Sequence, residues 1–300
     1  MASLTRPLLG GENRDASATL PALQKLLQLA YSEDTDEQIE AVMGISKMIE
    51  RRRFEASLFG PLCHTLSRLV VSEQRTVVAY AARGIKMLML DDALRPQATV
   101  AGIPSVLAAA MGEWEDDAPC LREILGGLQT LCCDKSTVLA VVSAGALGPV
   151  LELLGTNNLE IRILSTAIAA NVLSFSDSLL LTNEEVIDAF SDCMEALLDA
   201  AKRYDNEGLI RCYGIAALAN ACAHPVLAGR ARELGALELL RSFEVEPTAA
   251  ATVFRRGYGR LTSLRRRQRA ATAVARMNGL GLQAGDIEEG GGGGGGVGGG

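Results

Sequence analysis

The sequence predicts an all-α protein assembled from repeated helical units, and three observations carry that prediction. Composition is the first: the 300 residues are 48% hydrophobic but only 4% aromatic, with a single Trp. Leu, Ala, Val and Ile supply most of the apolar side chains, which suits a large helical core and disfavours a β-sandwich or barrel. The second is an internal period near 43 residues. The third is a spacing of three and four between apolar residues inside each period, which is the helical repeat.

Two independent markers keep the period. Segments 163–173 (ILSTAIAANVL) and 211–222 (RCYGIAALANAC) are alike, with weaker cousins at 125–132 (LGGLQTLC), 82–89 (ARGIKMLM) and 42–49 (VMGISKMI). Their equivalent positions 47, 87, 130, 171 and 220 lie 40, 43, 41 and 49 residues apart. A second marker, a Gly at 60, 102, 145 and 235, is spaced 42, 43 and 90 residues, so one Gly is missing near Ala189.

Along the chain, residues 1–17 are Gly-containing, polar and Pro-interrupted, a flexible leader. The repeat array occupies 18–245. In its clearest period, 137–142 forms one or two helical turns and Gly145 makes a bend. Leu147, Val150, Leu151 and Leu154 then mark a short helix that stops at Gly155. After the polar pair Asn157-Asn158, the residues Ile161, Leu164, Ile168, Val172 and Phe175 form one stripe on a longer helix. A basic helical tail follows at 246–289, with a helix over 262–278 closed by Gly279. Residues 290–300 hold ten Gly and Val297, a poly-Gly tract expected to be disordered.

No single unit of this kind can bury its stripe alone, whereas stacked neighbours share one elongated core. On GALGPVLELL at 145–154, GALELL at 235–240, and the inner helices AIAANV at 167–172 and AALANA at 216–221, the sequence resembles the armadillo (ARM) repeat family. The resemblance covers about 18–243, five repeats and a partial sixth. The first three lack the inner-helix Asn. It implies a right-handed α-solenoid superhelix of three-helix repeats whose long inner helices line a concave groove.

Charge divides the chain. Residues 246–300 hold eight Arg against four acids, and the preceding 245 hold 21 basic and 32 acidic residues, net −11. An acidic body repels phosphate backbones and anionic membranes, which leaves any nucleic-acid contact to the tail. The longest uncharged stretch, 136–151, is 16 residues, interrupted by Gly and Pro, and too short for a membrane span. No secretory signal pattern opens the chain, and seven Cys without paired spacing suit a reducing compartment. A cytoplasmic location is expected, with the nucleus open, and a monomeric state.

Catalytic chemistry finds few residues to work with, and neither a cofactor nor a metal is expected. Only His64 and His224 are present. His64 follows Cys63, but sequence neighbours on a helix diverge by about 100°. His224 precedes Pro225 and reads as a helix-terminal residue. Cys132 and Cys133 read as apolar filler. Gly257-Tyr-Gly259 lacks the rest of a dinucleotide fingerprint. The acidic runs 33–37 and 113–117 fall where inter-helix turns are expected, with Trp114 anchoring its loop.

Binding is the positive reading. Asn171 and Asn220 fall at corresponding inner-helix positions, and Asn is a mediocre helix former. Its amide can pair with a ligand's peptide bond or stabilise the repeat itself. The resemblance to ARM proteins implies the former. Further groove candidates by position are Lys47, Arg83, Thr130 and Tyr213, the N-terminal half being the more basic. Ala167 and Ala216 stand where importin-α-type members carry Trp, so a conventional nuclear-localisation-signal receptor is not expected.

The tail cations Arg255, Arg256, Arg260, Arg265, Arg266, Arg267, Arg269 and Arg276 admit three readings: a capping helix, a nuclear-import or nucleic-acid patch, or a segment folded back on the acidic body. The function expected is a non-enzymatic scaffold or adaptor for a protein or peptide ligand. An Hsp70-type co-chaperone and a substrate-recruiting component of a ubiquitin-ligase pathway are the alternatives.

Overall fold

The computed structural model describes residues 16–51, 54, 56–175, 183–203 and 208–245. The basic tail, its expected helix, the Gly tract and nearly all of the leader lie outside the described residues. Fifteen α-helices and no strand occur among those described. The chain divides into two compact units, Met1–Leu180 and Leu181–Gly300.

The first unit contains α1 (Ala16–Leu29), α2 (Thr35–Glu50), α3 (Phe59–Leu69), α4 (Arg75–Leu88), α5 (Arg95–Val100), α6 (Ile103–Glu113), α7 (Ala118–Leu131), α8 (Lys135–Ser143), α9 (Leu147–Glu152) and α10 (Leu159–Leu173). Single 3-10 turns precede α3 at Ala56–Leu58 and follow α9 at Leu153–Gly155. The long helices α2, α4, α7 and α10 pack side by side in that order. Each also holds the helix before it: α1, α3, α6 and α9 respectively. The short α5 and α8 pack on each other and on α6.

Local chemistry sets the helix starts. Asp34, Asp117, Asp134 and Asn158 each accept a backbone N–H from the first turn of α2, α7, α8 and α10, satisfying donors that have no intrahelical partner. The bends after α5 and α8 fall on Gly102 and Gly145, whose φ values of 74° and 77° favour Gly. Gly60 is different: it lies inside α3 without a positive φ, so it is not equivalent to the other marker glycines. A 3-10 turn at Ala56–Leu58 leads directly into α3 there.

A third repeat marker emerges from packing. A methyl group on Gly44 would lie 2.7 Å from Leu26, on Gly84 3.1 Å from Leu66, and on Gly127 3.0 Å from Leu107. These glycines occupy equivalent places in α2, α4 and α7. Each receives a Leu from the preceding helix, and this lock is how the three repeats without the inner-helix Asn bring their helices together.

The stripe expected on α10 is too narrow. Ile161, Ile168 and Val172 are buried, but so are Arg162, Ser165, Thr166, Ala167, Ala169 and Ala170, while Leu164 is half-buried. A helix packed between two neighbours buries more of its circumference than a helix on one surface.

The second unit contains α11 (Glu184–Asp192), α12 (Met194–Lys202), α13 (Leu209–Ala221), α14 (Pro225–Glu233) and α15 (Ala236–Val245). The bend before α15 uses Gly235 at φ 81°. The equivalent bend between α11 and α12 is at Cys193, not near Ala189. There φ is −88° and ψ 5°, a right-handed conformation open to any residue, which is why no Gly marks it. At the α12–α13 contact, a methyl on Gly214 would sit 2.5 Å from the Ala201 backbone nitrogen.

Candidate binding face

The inner helices of the first unit run parallel and in register. Near their N-termini, Cys120 Sγ donates to Arg75 O at 3.4 Å and Arg75 pairs with Asp117 at 2.7 Å. Midway, Ser46 Oγ donates to Tyr80 O at 2.7 Å. Near the C-termini, Asn171 Nδ2 donates to Gln129 O at 3.4 Å. The caps Asp34, Gln74, Asp117 and Asn158 are spaced 40, 43 and 41 residues, matching the sequence marker. Positions 47, 87, 130 and 171 therefore occupy one level of the stack. In the second unit Asn220 lies near the end of α13, whose N-cap is Gly208.

At that level the candidates differ. Lys47 is exposed. Thr130 is buried, and its hydroxyl donates to Gly126 O and Gly127 O in its own helix, at 2.9 and 2.8 Å. That hydroxyl is already engaged by its own helix, in contrast to the groove role expected for it. Asn171 is half-buried; its Nδ2 also reaches Cys133 Sγ at 3.5 Å, and no described residue donates to its Oδ1. Asn220 and Tyr213 are both half-buried. Arg83 pairs through Nε with Glu50 on α2 at 2.6 Å.

Arg83 belongs to a series of ion pairs that sequence reading did not find. Lys86 Nζ on α4 meets Glu123 Oε2 on α7 at 2.5 Å. Arg122 on α7 contacts both Glu123, at 3.2 Å, and Glu160 on α10, at 3.3 Å. The Glu160 contact leads the causes that raise the Arg122 pKa. Gly126 makes the first pairing possible, because a methyl there would lie 2.6 Å from Lys86 Cδ. The Lys86 stem crosses α7 over a residue with no side chain. Partners 37 and 38 residues apart give no local signal; only the register of the stack aligns them.

The residues set aside as non-catalytic are not brought into a reactive constellation. Cys63 is fully buried, and burial pushes its thiol up to about 12. His64 is exposed; its Nδ1 lies 2.9 Å from the Tyr31 hydroxyl and its ring stacks on that of Tyr31. His224 occupies the N-cap position of α14, but its side chain makes no capping bond and its Nδ1 is buried without a partner. The His224 carbonyl accepts from Ala228 N at 2.9 Å, which is the first intrahelical bond of α14 and not a cap. Cys132 is buried, whereas Cys133 is exposed and is not core filler; its neighbour in sequence points away from it. Among the described residues no group of three His, Cys, Asp or Glu could hold a metal ion, and no single helix is long and apolar enough to cross a membrane.

Known structures repeat this architecture. A designed armadillo repeat protein matches with a TM-score of 0.67 at 18% identity over 85% of this chain and 100% of its own. Another designed armadillo repeat protein, in complex with the peptide (KR)4, matches at 0.65 and 18% identity over 84% and 99%. An engineered protein matches at 0.65 and 21% identity over 86% and 98%. No protein-family model and no curated protein matches the chain. The chain has the all-α solenoid fold of armadillo repeat proteins.

Proposed function

We propose that this protein is a non-enzymatic scaffold that captures an extended peptide, or a helix, along its inner-helix face. The supporting observation is Asn171. Its Nδ2 is held by the preceding inner helix, which fixes the amide and leaves Oδ1 to accept a peptide N–H. Asn220, on α13 of the second unit, repeats the residue type at the position equivalent by the sequence repeat. The designed relative in complex with (KR)4 supports a peptide as the ligand class.

The test is selection of peptide ligands from a randomised displayed library on the full chain, followed by affinity measurement with Asn171→Ala/Asn220→Ala. One net hydrogen bond is worth about 1 kcal/mol, so the double variant should bind roughly ten-fold or more weakly while keeping its helical signal. Selected peptides that bind the variant as tightly as the wild type would remove the inner face from consideration.

A further inference from the structure

We propose that the first unit carries a second docking surface, on the edge formed by the turns that open its inner helices, for a basic segment of a partner protein that carries both cationic and apolar residues. The in-register packing of α2, α4, α7 and α10 places the turns before them in one row. Each contributes an apolar side chain. Tyr31 is 51% exposed, Val71 58% and Leu159 43%, and Trp114 is half-buried in the turn between them.

Charge on these turns is predominantly negative. Segments 30–37, 70–76, 113–119 and 155–160 hold Glu33, Asp34, Asp36, Glu37, Glu73, Glu113, Glu115, Asp116, Asp117 and Glu160 against the single cation Arg75. Helix chemistry accounts for some of these: Asp34 and Asp117 cap α2 and α7, and Asp36 and Glu37 face the positive end of the α2 dipole. It does not account for Glu33, Glu73, Glu115 and Asp116, which precede their helices and make no ion pair with a described residue. Repulsion among these carboxylates is relieved by a cationic partner, and the apolar side chains between them are covered by its apolar residues.

The chain itself already makes a contact of this kind on the edge. Arg68 on α3 places its guanidinium carbon 4.3 Å from the centroid of the half-exposed Tyr31 ring, an attraction of cation to ring face. Neighbouring helices pack roughly 8–10 Å apart, so four turns span about 30 Å, the length of roughly nine extended residues. This surface is separate from the inner face and does not depend on Asn171 or Asn220.

The experiment uses the full chain and three labelled twelve-residue peptides, each half Arg and half Leu (Arg-Leu), half Arg and half Gly (Arg-Gly) or half Glu and half Leu (Glu-Leu) in non-alternating order, read by fluorescence anisotropy. The Arg-Leu peptide should bind at least ten-fold more tightly than Arg-Gly, and Glu-Leu should not bind. Glu33→Lys/Glu73→Lys/Glu115→Lys/Asp116→Lys should weaken the Arg-Leu peptide more than ten-fold. Val71→Ser/Leu159→Ser should remove its preference over Arg-Gly. Both variants change exposed side chains, and unchanged helical circular dichroism serves as the folding control. Full Arg-Leu binding to the charge-reversed variant would overturn the proposal. So would loss of that binding in Asn171→Ala/Asn220→Ala, which would assign the peptide to the inner face. If binding appears only after the eight Arg at 255–276 are changed to Ser, the chain's own segment is the occupant and the partner reading fails.

Discussion

Among the described glycines, Gly214 is the least tolerant of an added side chain, because the atoms facing it are backbone. A Cβ there would meet Ala201 N at 2.5 Å and Ala200 C at 2.8 Å, and no rotamer change can relieve a clash with a helix backbone. Gly214→Ala should therefore destabilise the chain despite the helix-propensity gain of about 1 kcal/mol. Overpacking costs of roughly 1–3 kcal/mol apply, and a lower thermal midpoint is the expected readout.

Asp134 gives a pH-dependent counterpart. Its Oδ1 accepts from Ser136 Oγ and from Ser136 N, at 2.5 and 2.8 Å, and these bonds, the hydroxyl's first, hold the carboxyl below its ordinary 3.8. A depressed folded-state pKa means the contribution is complete above the ordinary value and is lost as pH falls through the folded one. Asp134→Ala should cost about 1 kcal/mol at neutral pH, as for other N-caps. Denaturant titrations of the two proteins should converge once the pH is taken well below 3.8.

Between elements, the unit of construction in the first three repeats is a Leu set into a Gly. Leu66 is fully buried, and its methyls stand 3.1 Å from where a Gly84 Cβ would be. With little room for α3 and α4 to approach further, Leu66→Ala leaves a cavity. A loss of about 2–5 kcal/mol is expected from equilibrium denaturation. Exposed Leu90, by contrast, should tolerate the same change with little effect. Lys86, Gly126 and Glu123 follow the same logic in polar form: a missing side chain on one helix lets a neighbour's side chain cross it.

For the whole molecule, thiol chemistry reports the repeat core. Burial pushes Cys63 and Cys120 up to about 12 and raises Cys132 further, while Cys133 alone of the seven is exposed. Burial also raises the Cys133 thiol, although the residue is exposed. At pH 8 an alkylating reagent should modify Cys133 first, more slowly than a free thiol. Cys63 and Cys132 should react only with denaturant present. Early modification of Cys63 in peptide mapping would contradict the packing of α3 against α4.

The period, the helical class, the order of short, middle and long helices, and the matching positions 47, 87, 130 and 171 were legible in the residues alone. A Gly at a positive φ, an Asp or Asn opening a helix, and an apolar spacing of three and four are consequences of local backbone chemistry, which acts over a few residues. Only tertiary structure decided that Gly60 is not a bend, that Cys193 is one, and that Thr130 turns its hydroxyl onto its own helix. It alone aligned Glu50 with Arg83, Lys86 with Glu123 and Arg122 with Glu160. Those pairs lie a whole repeat apart, and their geometry depends on how one helix is rotated and shifted against the next, which the packing of buried side chains fixes and no local pattern encodes.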